Sequence, residues 1–414
     1  MRYDVFFSIS QTPVDGFTPS ESEMFNNFFA EVQAADELGY DTAWVAQSHL
    51  SSEVQKHNSD PVIPHWKGEI GLNTDIYQLA HAVFARTKRI NIGSAVTNIV
   101  CNGGPIAHAE RIAAFLSLHG LDLSEHRKLR IGFSAGRFQF MNRAYGILPR
   151  DPVESAAWPA LRGQVFKEAC EIFLRLLRGE TLCSDDIGTT VLTRAHFRSD
   201  EDFYRVQQAA AEMGQPKKNE IAIKRRWSFE SLKIVPQDFR RDLLDLIIGS
   251  HDPNLQNAVN EILPVKVFNL SITQPDVIDA THSRMSTAYH ADGGPWRREY
   301  MPRTVMVFIN DQPGLSAAQR IAAAHEEANT ALSAYWTALQ GTLDPMKVKR
   351  AADNAIIGDP QTIAQQIVDR FHPQDQLMLW FDFFNHDRER VIANMTSFAN
   401  TVIPAVNALL RNQP

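Results

Sequence analysis

The chain has 414 residues, 44% hydrophobic and 21% charged, and its 41 Lys and Arg against 48 Asp and Glu leave a net charge of −7. These proportions exclude a disordered or collagen-like chain, and the acidic excess speaks against nucleic-acid binding, which draws on a basic face. Three cysteines (Cys101, Cys170 and Cys183) are too few for a disulfide framework or a four-thiolate zinc site, and there is no apolar run of the ~18 residues that would cross a membrane. The opening MRYDVFFSIS lacks a signal segment, so the expectation is a cytoplasmic protein with reduced thiols acting as small apolar residues.

In chain order the pattern predicts a strand over 3–9 and a helix over 20–38, opened by Ser-Glu-Ser-Glu and closed by Gly39. A strand over 41–46, a helix over 75–86 and a strand over 90–96 follow. Next come a helix over 105–118, with Pro105 at a favourable first position, and a strand over 129–133. The helix over 159–177 has the clearest stripe: Leu161, Val165, Ala169, Ile172, Phe173, Leu176 and Leu177 share one face, and Gly179 follows. Strands over 243–248, 265–270, 304–309 and 377–381 complete the set, with helices over 254–262, 316–339, 360–371 and 387–402. Eight strands alternating with helices imply a parallel sheet. The expected fold is α/β, a single (β/α)₈ TIM-barrel domain over 1–414, with its site at the C-terminal ends of the strands. Stretches near 50–73, 180–240 and 271–303 exceed a minimal barrel and read as loop insertions.

Three motifs sit at strand ends. Gly132-Phe-Ser134-Ala-Gly136 has the G-x-S-x-G form of a nucleophile elbow, but Pro149, Pro152 and Pro159 delay the helix an elbow requires. Its plainer reading is a glycine-rich corner. His49 follows the second strand, where a barrel places catalytic residues; its plainer reading is a structural histidine. Gly249-Ser250-His251-Asp252 joins a strand to a helix and could hold a phosphate, with Arg137 supplying charge; its plainer reading is an N-cap. His81, His108 and His119 lie on helices and read as packing residues. No dinucleotide or P-loop motif is present, and His325-Glu326 lacks the second histidine of a zinc motif.

The order of these pieces resembles the bacterial luciferase-like family of flavin-dependent monooxygenases. Ala34-Ala-Asp-Glu-Leu-Gly-Tyr-Asp-Thr-Ala-Trp-Val-Ala-Gln-Ser-His49 is similar to its A-E-x-x-G-F-D-x-x-W-x-x-E-H-H segment. Thr87-Lys-Arg-Ile-Asn-Ile-Gly-Ser-Ala-Val is similar to its T-x-R-I-x-L-G-T-A-V strand, and Pro105 to Glu110 to its H-P-x-x-x-A-E segment. Ala144-Tyr-Gly146, the helix ending at Gly179-Glu180, Ile357-Gly-Asp-Pro-Gln-Thr-Ile and Ile403-Pro404 follow in family order.

The resemblance implies a barrel binding reduced FMN at its C-terminal rim. Ala95, Val96 and Thr97 would lie under the flavin ring, with Ala95–Val96 a cis bond, and Gly249, Ser250 and His251 would stand near its phosphate together with Ser134. The family's phosphate arginine falls at Ala135, and Arg137 replaces it if the loop shifts by two. The family's Glu-His-His reads Gln47-Ser48-His49, so the first histidine is lost. His49 remains as the catalytic candidate, with Ser48 as its hydrogen-bonding neighbour.

The leading expectation is a two-component monooxygenase acting on a small organic substrate with O₂, its reduced FMN supplied by a separate reductase. Gln11, His65, Trp66, Tyr289 and Trp296 are the expected substrate-pocket residues, no metal is expected, and the family suggests a homodimer. Alternatives are an F420-dependent oxidoreductase of the same fold, a serine hydrolase using Ser134, and a non-catalytic flavin-binding homologue.

Overall fold

The computed structural model describes residues 1–216, 218–340 and 345–412. Eleven strands are found: β1 (Arg2–Phe7), β2 (Thr42–Val45), β3 (Asn91–Asn98), β4 (Leu129–Ser134), β5 (Thr190–Leu192), β6 (Ile221–Ile223), β7 (Leu244–Ile248), β8 (Val265–Val267), β9 (Arg303–Ile309), β10 (Ile356–Gly358) and β11 (Gln376–Trp380). Nine of them form one parallel sheet in the order β10-β9-β11-β1-β2-β3-β4-β7-β8, and β5 and β6 form a separate antiparallel pair. All eight predicted strands lie within this sheet.

The sheet curls into a half-barrel, consistent with a luciferase-like barrel. Its ends meet at one point, where Asn269 beyond β8 bridges Arg303 at the foot of β9. Above that bridge the three residues of β10 pair with Val307–Ile309 and occupy the rest of the β9 edge. The expected closed ring of eight is thus replaced by nine strands and a single bridge.

Local chemistry sets the element ends. Ser20 caps the helix Glu21–Leu38 in a capping box with Glu23, and Gly39 ends it at φ +84°, a conformation open to glycine at little cost. The helix Pro152–Arg178 corrects the expectation that prolines delay it. Asp151 accepts from Glu154 N, and Pro152 occupies the first turn, where its missing N–H has no intrahelical role. Pro159 is inside the helix and forfeits one bond. The seven apolar residues of the predicted stripe are all buried, the six larger ones contributing about 1.5–3 kcal/mol each and Ala169 about 1 kcal/mol or less.

The three insertions differ in course. Near 50–73 the turn Ser52–Gln55 is tied to Glu69, whose carboxylate accepts from Ser51 Oγ (2.5 Å), Ser52 N (2.6 Å) and Ser52 Oγ (2.9 Å). Over 180–240 the β5–β6 pair and the helix Asp200–Glu212 pack beside Pro152–Arg178. Over 271–303 the helix Pro275–Ala288 returns the chain to the N-terminal ends of the strands.

Inside the sheet, Phe6, Trp44, Ile247, Phe268 and Met378 form a buried cluster. Trp44 Nε1 donates to Asp4 Oδ2 at 2.7 Å, and Gln376 Nε2 donates to the same oxygen at 2.6 Å. Burial pushes the Asp4 carboxyl up to about 7. No helix among the described residues is long and apolar enough to cross a membrane.

Candidate active site

A cavity of about 590 Å³ opens at the C-terminal ends of the strands. The upper halves of β3 and β4 and the loops after β2, β4 and β7 bring Ser48, His49, Ala95, Val96, Ser134, Arg137, Gly249, Ser250 and His251 to its wall, and the first insertion adds Trp66. Beside Ser48 and His49 stand Ser8, Ser10 and Thr12 after β1, and next to these Trp380, Asp382, Phe383 and Phe384 at the end of β11.

His49 is 4% exposed. Burial and the Arg111 charge lower its pKa, against the opposing pull of Asp75, so the imidazole is neutral near pH 7 and able to accept a proton. Gln47 stands between it and the sheet. The Gln47 amide accepts from Thr97 Oγ1 at 2.7 Å, donates to Thr74 O at 3.3 Å and reaches His49 Nε2 at 3.5 Å. Ser48 N donates to Asn73 O, while Ser48 Oγ is buried without a partner among the described residues.

The Ala95–Val96 peptide is cis, as the resemblance implied, and the β3–β4 register shifts between Ser94 and Thr97. A Cβ at Gly132 would stand 2.3 Å from Ser94 O, and one at Gly136 (φ +74°) 2.1 Å from Asn98 Nδ2. Gly132 is therefore required by close backbone packing, and Gly136 by its positive φ and the Asn98 side chain against it. Ser134 Oγ accepts from Gly136 N at 3.0 Å, and no histidine or carboxylate among the described residues bonds to it. The elbow reading fails because the base and the immediate helix are both missing.

Arg137 is exposed at the cavity wall, its guanidinium 5.3 Å from the Phe138 ring. Asp252 caps the helix Pro253–Asn260 by accepting from Asn254 N, which places a carboxylate where the sequence suggested a phosphate. Ser250 O accepts from Gln256 Nε2 at 2.6 Å, and the Ser250 hydroxyl oxygen accepts from Asp252 N at 3.3 Å. Of the groups expected at a phosphate, Arg137 is the positive charge exposed at the cavity wall, while the helix end is already capped by Asp252.

Five predicted residues stand elsewhere. Thr97 is fully buried behind the wall, bonded to Gln47 and Ser94. Gln11 Nε2 donates to Pro19 O at 3.0 Å, turned into its own loop. His65 is exposed on the first insertion, outside the cavity lining. Tyr289 and Trp296 lie at the opposite end of the strands, ring centroids 5.1 Å apart, with Tyr289 lining a second cavity there. The sequence reading missed Asp382, although its position two residues beyond the last strand marks it as a rim residue.

His81, His108 and His119 are packing residues: His119 stacks on Phe84 at 4.3 Å, and burial pushes His108 down to about 3. Cys101 and Cys170 are buried, and burial pushes the Cys101 thiol up to about 12. Among the described residues no group of three or more His, Cys, Asp or Glu is placed to hold a metal ion.

The family model described as luciferase-like monooxygenase matches residues 1–213. No curated protein sequence matches the chain. Among solved structures, the monooxygenase RslO1 from Streptomyces bottropensis is similar at 17% identity and TM-score 0.65, covering 98% of this chain and 99% of that one. The oxygenating constituent of 3,6-diketocamphane monooxygenase from Pseudomonas putida, a type II Baeyer-Villiger monooxygenase in complex with FMN, is similar at 13% identity and TM-score 0.53, covering 98% of each chain. An F420-dependent secondary alcohol dehydrogenase is similar at 12% identity and TM-score 0.53, again over 98% of each chain. At these identities the likenesses speak for the fold.

Proposed function

Because this chain belongs to the luciferase-like monooxygenase family, we propose that it is a flavin-dependent monooxygenase that transfers one atom of O₂ to a small organic substrate and releases the other as water. Reduced FMN comes from a separate reductase in this reading, and the protein works as a cytoplasmic homodimer. The observation that carries it is the mouth cavity, where a neutral buried histidine, an unpartnered buried hydroxyl and a free arginine share one apolar chamber.

The residues present fit a flavin. The Ala95–Val96 bend offers an apolar floor, Ser48 Oγ is an unused donor, and Arg137 with the Gly249–His251 loop suits a phosphate. Reduced flavin, when bound, supplies the electrons that activate O₂. The chain's own contribution is to bind and to shield. Phe6, Phe138, Phe268 and Trp380 keep water from the chamber, which strengthens each polar contact made there. His49, held neutral and approached by Gln47, moves a proton at its imidazole nitrogen, and Ser48 stands beside it to orient the reacting group.

Anaerobic titration with reduced FMN followed by stopped-flow mixing with O₂ tests this reading. The expected result is micromolar or tighter binding of reduced FMN and an oxygenated flavin absorbance. Binding of F420 in preference to FMN would instead support the deazaflavin reading, which the alcohol dehydrogenase likeness keeps in view.

A further inference from the structure

The wall opposite the flavin half of the mouth cavity has a composition of its own. Trp66, Tyr335, Trp380, Phe383 and Phe384 interlock there, with ring centroids 4.6 Å apart for Trp380–Phe383, 5.0 Å for Phe383–Phe384, 5.2 Å for Tyr335–Phe383 and 6.4 Å for Trp66–Tyr335. Such edge-to-face arrays are rigid and present flat apolar surfaces. One charged group interrupts them. The Asp382 carboxylate accepts at Oδ2 from Ser8 N (3.1 Å) and Ser8 Oγ (3.2 Å), while Oδ1, shielded from solvent, has no donor in hydrogen-bonding geometry among the described residues; the Trp380 indole and the Asp382 backbone N–H stand near enough to oppose the effect of burial on the carboxyl.

We propose that Asp382 is a substrate-binding residue that accepts a hydrogen bond from the hydroxyl group of a planar aromatic substrate seated on this aromatic wall. This rests on the oxygenase reading of the cavity. A carboxylate offers about four acceptor positions, and Ser8 engages one oxygen alone. No Lys, Arg or His forms an ion pair with Asp382 among the described residues. Behind it stands another carboxyl, Glu31, raised by burial and by the Asp382 charge, with Arg388 acting the other way. Burial pushes the Asp382 carboxyl up to about 6, so near neutral pH it is an ionised acceptor in an apolar wall.

The neighbouring polar groups on the same strip, Ser10 Oγ and Thr12 Oγ1, are neutral and 3.4 Å apart. A neutral hydroxyl loses little on entering such a place. An ammonium would exchange full hydration for one carboxylate, so the strip favours a hydroxyl.

The test compares 2-naphthol, 2-methoxynaphthalene and 2-naphthylmethylamine by calorimetric titration of the full-length protein at pH 7.5, with reduced-FMN affinity measured alongside. The wild type is expected to bind 2-naphthol about tenfold or more tightly than its methyl ether, the range for a hydrogen bond to a charged group. Asp382→Asn, whose amide oxygen still accepts but carries no charge, is expected to cut that preference to a few-fold, and Asp382→Leu to remove it, while both bind reduced FMN as the wild type does. Ser8→Ala, which frees Oδ2, is expected to keep or widen the preference, and it serves as the test if Asp382→Asn does not fold.

Equal affinities for the naphthol and its ether in the wild type, an undiminished preference in Asp382→Asn, or any preference surviving in Asp382→Leu, would overturn the proposal. So would tighter binding of the amine. Failure of wild type and variant alike to bind reduced FMN, with the naphthol preference intact, would sink the oxygenase reading and leave the role of Asp382 standing.

Discussion

Two cavities of nearly equal volume, about 600 and about 590 Å³, lie at opposite ends of the same strands, and their polar groups are satisfied in opposite ways. At the N-terminal end Lys128, Arg130 and Lys266 converge on Asp245 at 3.5, 3.3 and 2.9 Å, and Arg130 also meets Asp41 at 2.7 Å. Arg2 and Arg297 share Glu299, each at 3.1 Å. Burial alone would raise the Asp245 carboxyl, yet the surrounding cations hold it well below the usual carboxylate range. At the C-terminal end the walls are aromatic, and Ser48 Oγ and Asp382 Oδ1 have no hydrogen-bond partner among the described residues. Volume therefore does not single out a ligand site. Arg130 Nε is orphaned at the lower end too, but inside an ion-pair network; what marks the upper end is orphaned polar atoms in an apolar chamber without such a network.

The sharpest way to break this contrast is Asp245→Ala. It strands three cations beneath the sheet and is expected to destabilise the fold by about 3–5 kcal/mol in urea unfolding, while the folded fraction still binds ligand at the mouth. Equal loss of mouth binding per folded molecule would show that the two ends are coupled.

His49→Asn is expected to do the reverse. Turnover falls by about 100-fold or more, with little change in the urea midpoint. In the wild type the acidic limb of the rate profile should have its midpoint below pH 6.5, because burial favours the neutral imidazole and protonation removes the acceptor.

Arg137→Ala should weaken reduced-FMN binding by about tenfold and flatten its salt dependence, measured by anaerobic titration at two ionic strengths. The smallest effect is expected for Lys128→Ala. Its side chain is 38% exposed, and Asp245 keeps Arg130 and Lys266, so the loss should stay below about 1 kcal/mol.

The same contrast explains what could be read from the amino acids. The eight main strands were legible because each is an apolar run ended by a turn residue, and the helix ends because Ser20, Asp359, Gly39 and Gly179 do their capping locally. β10 was missed because three residues carry no period. The β5–β6 pair was missed for the same reason, inside a stretch read as loop.

Tyr289 and Trp296 were placed at the mouth because their insertion follows a strand. A chain that climbs a strand descends by the next helix, and the helix Pro275–Ala288 delivers both residues to the far end. That helix contains Pro275, and its polar surface hid its register, so the descent could not be seen. Asp382 was overlooked for a simpler reason: as one acidic residue among aromatics it has no motif, and only burial gives it meaning.

The buried cluster of Phe6, Trp44, Ile247, Phe268 and Met378 forms part of the walls of both cavities, with Trp44 and Ile247 facing one and Phe6 and Phe268 the other. It makes the upper chamber a blind well. Nothing passes through that floor, so a molecule that arrives later covers one already seated against it. Order of arrival becomes a property of shape: the deepest occupant must come first and depart last, and an excess of the outer one should slow exchange of the inner.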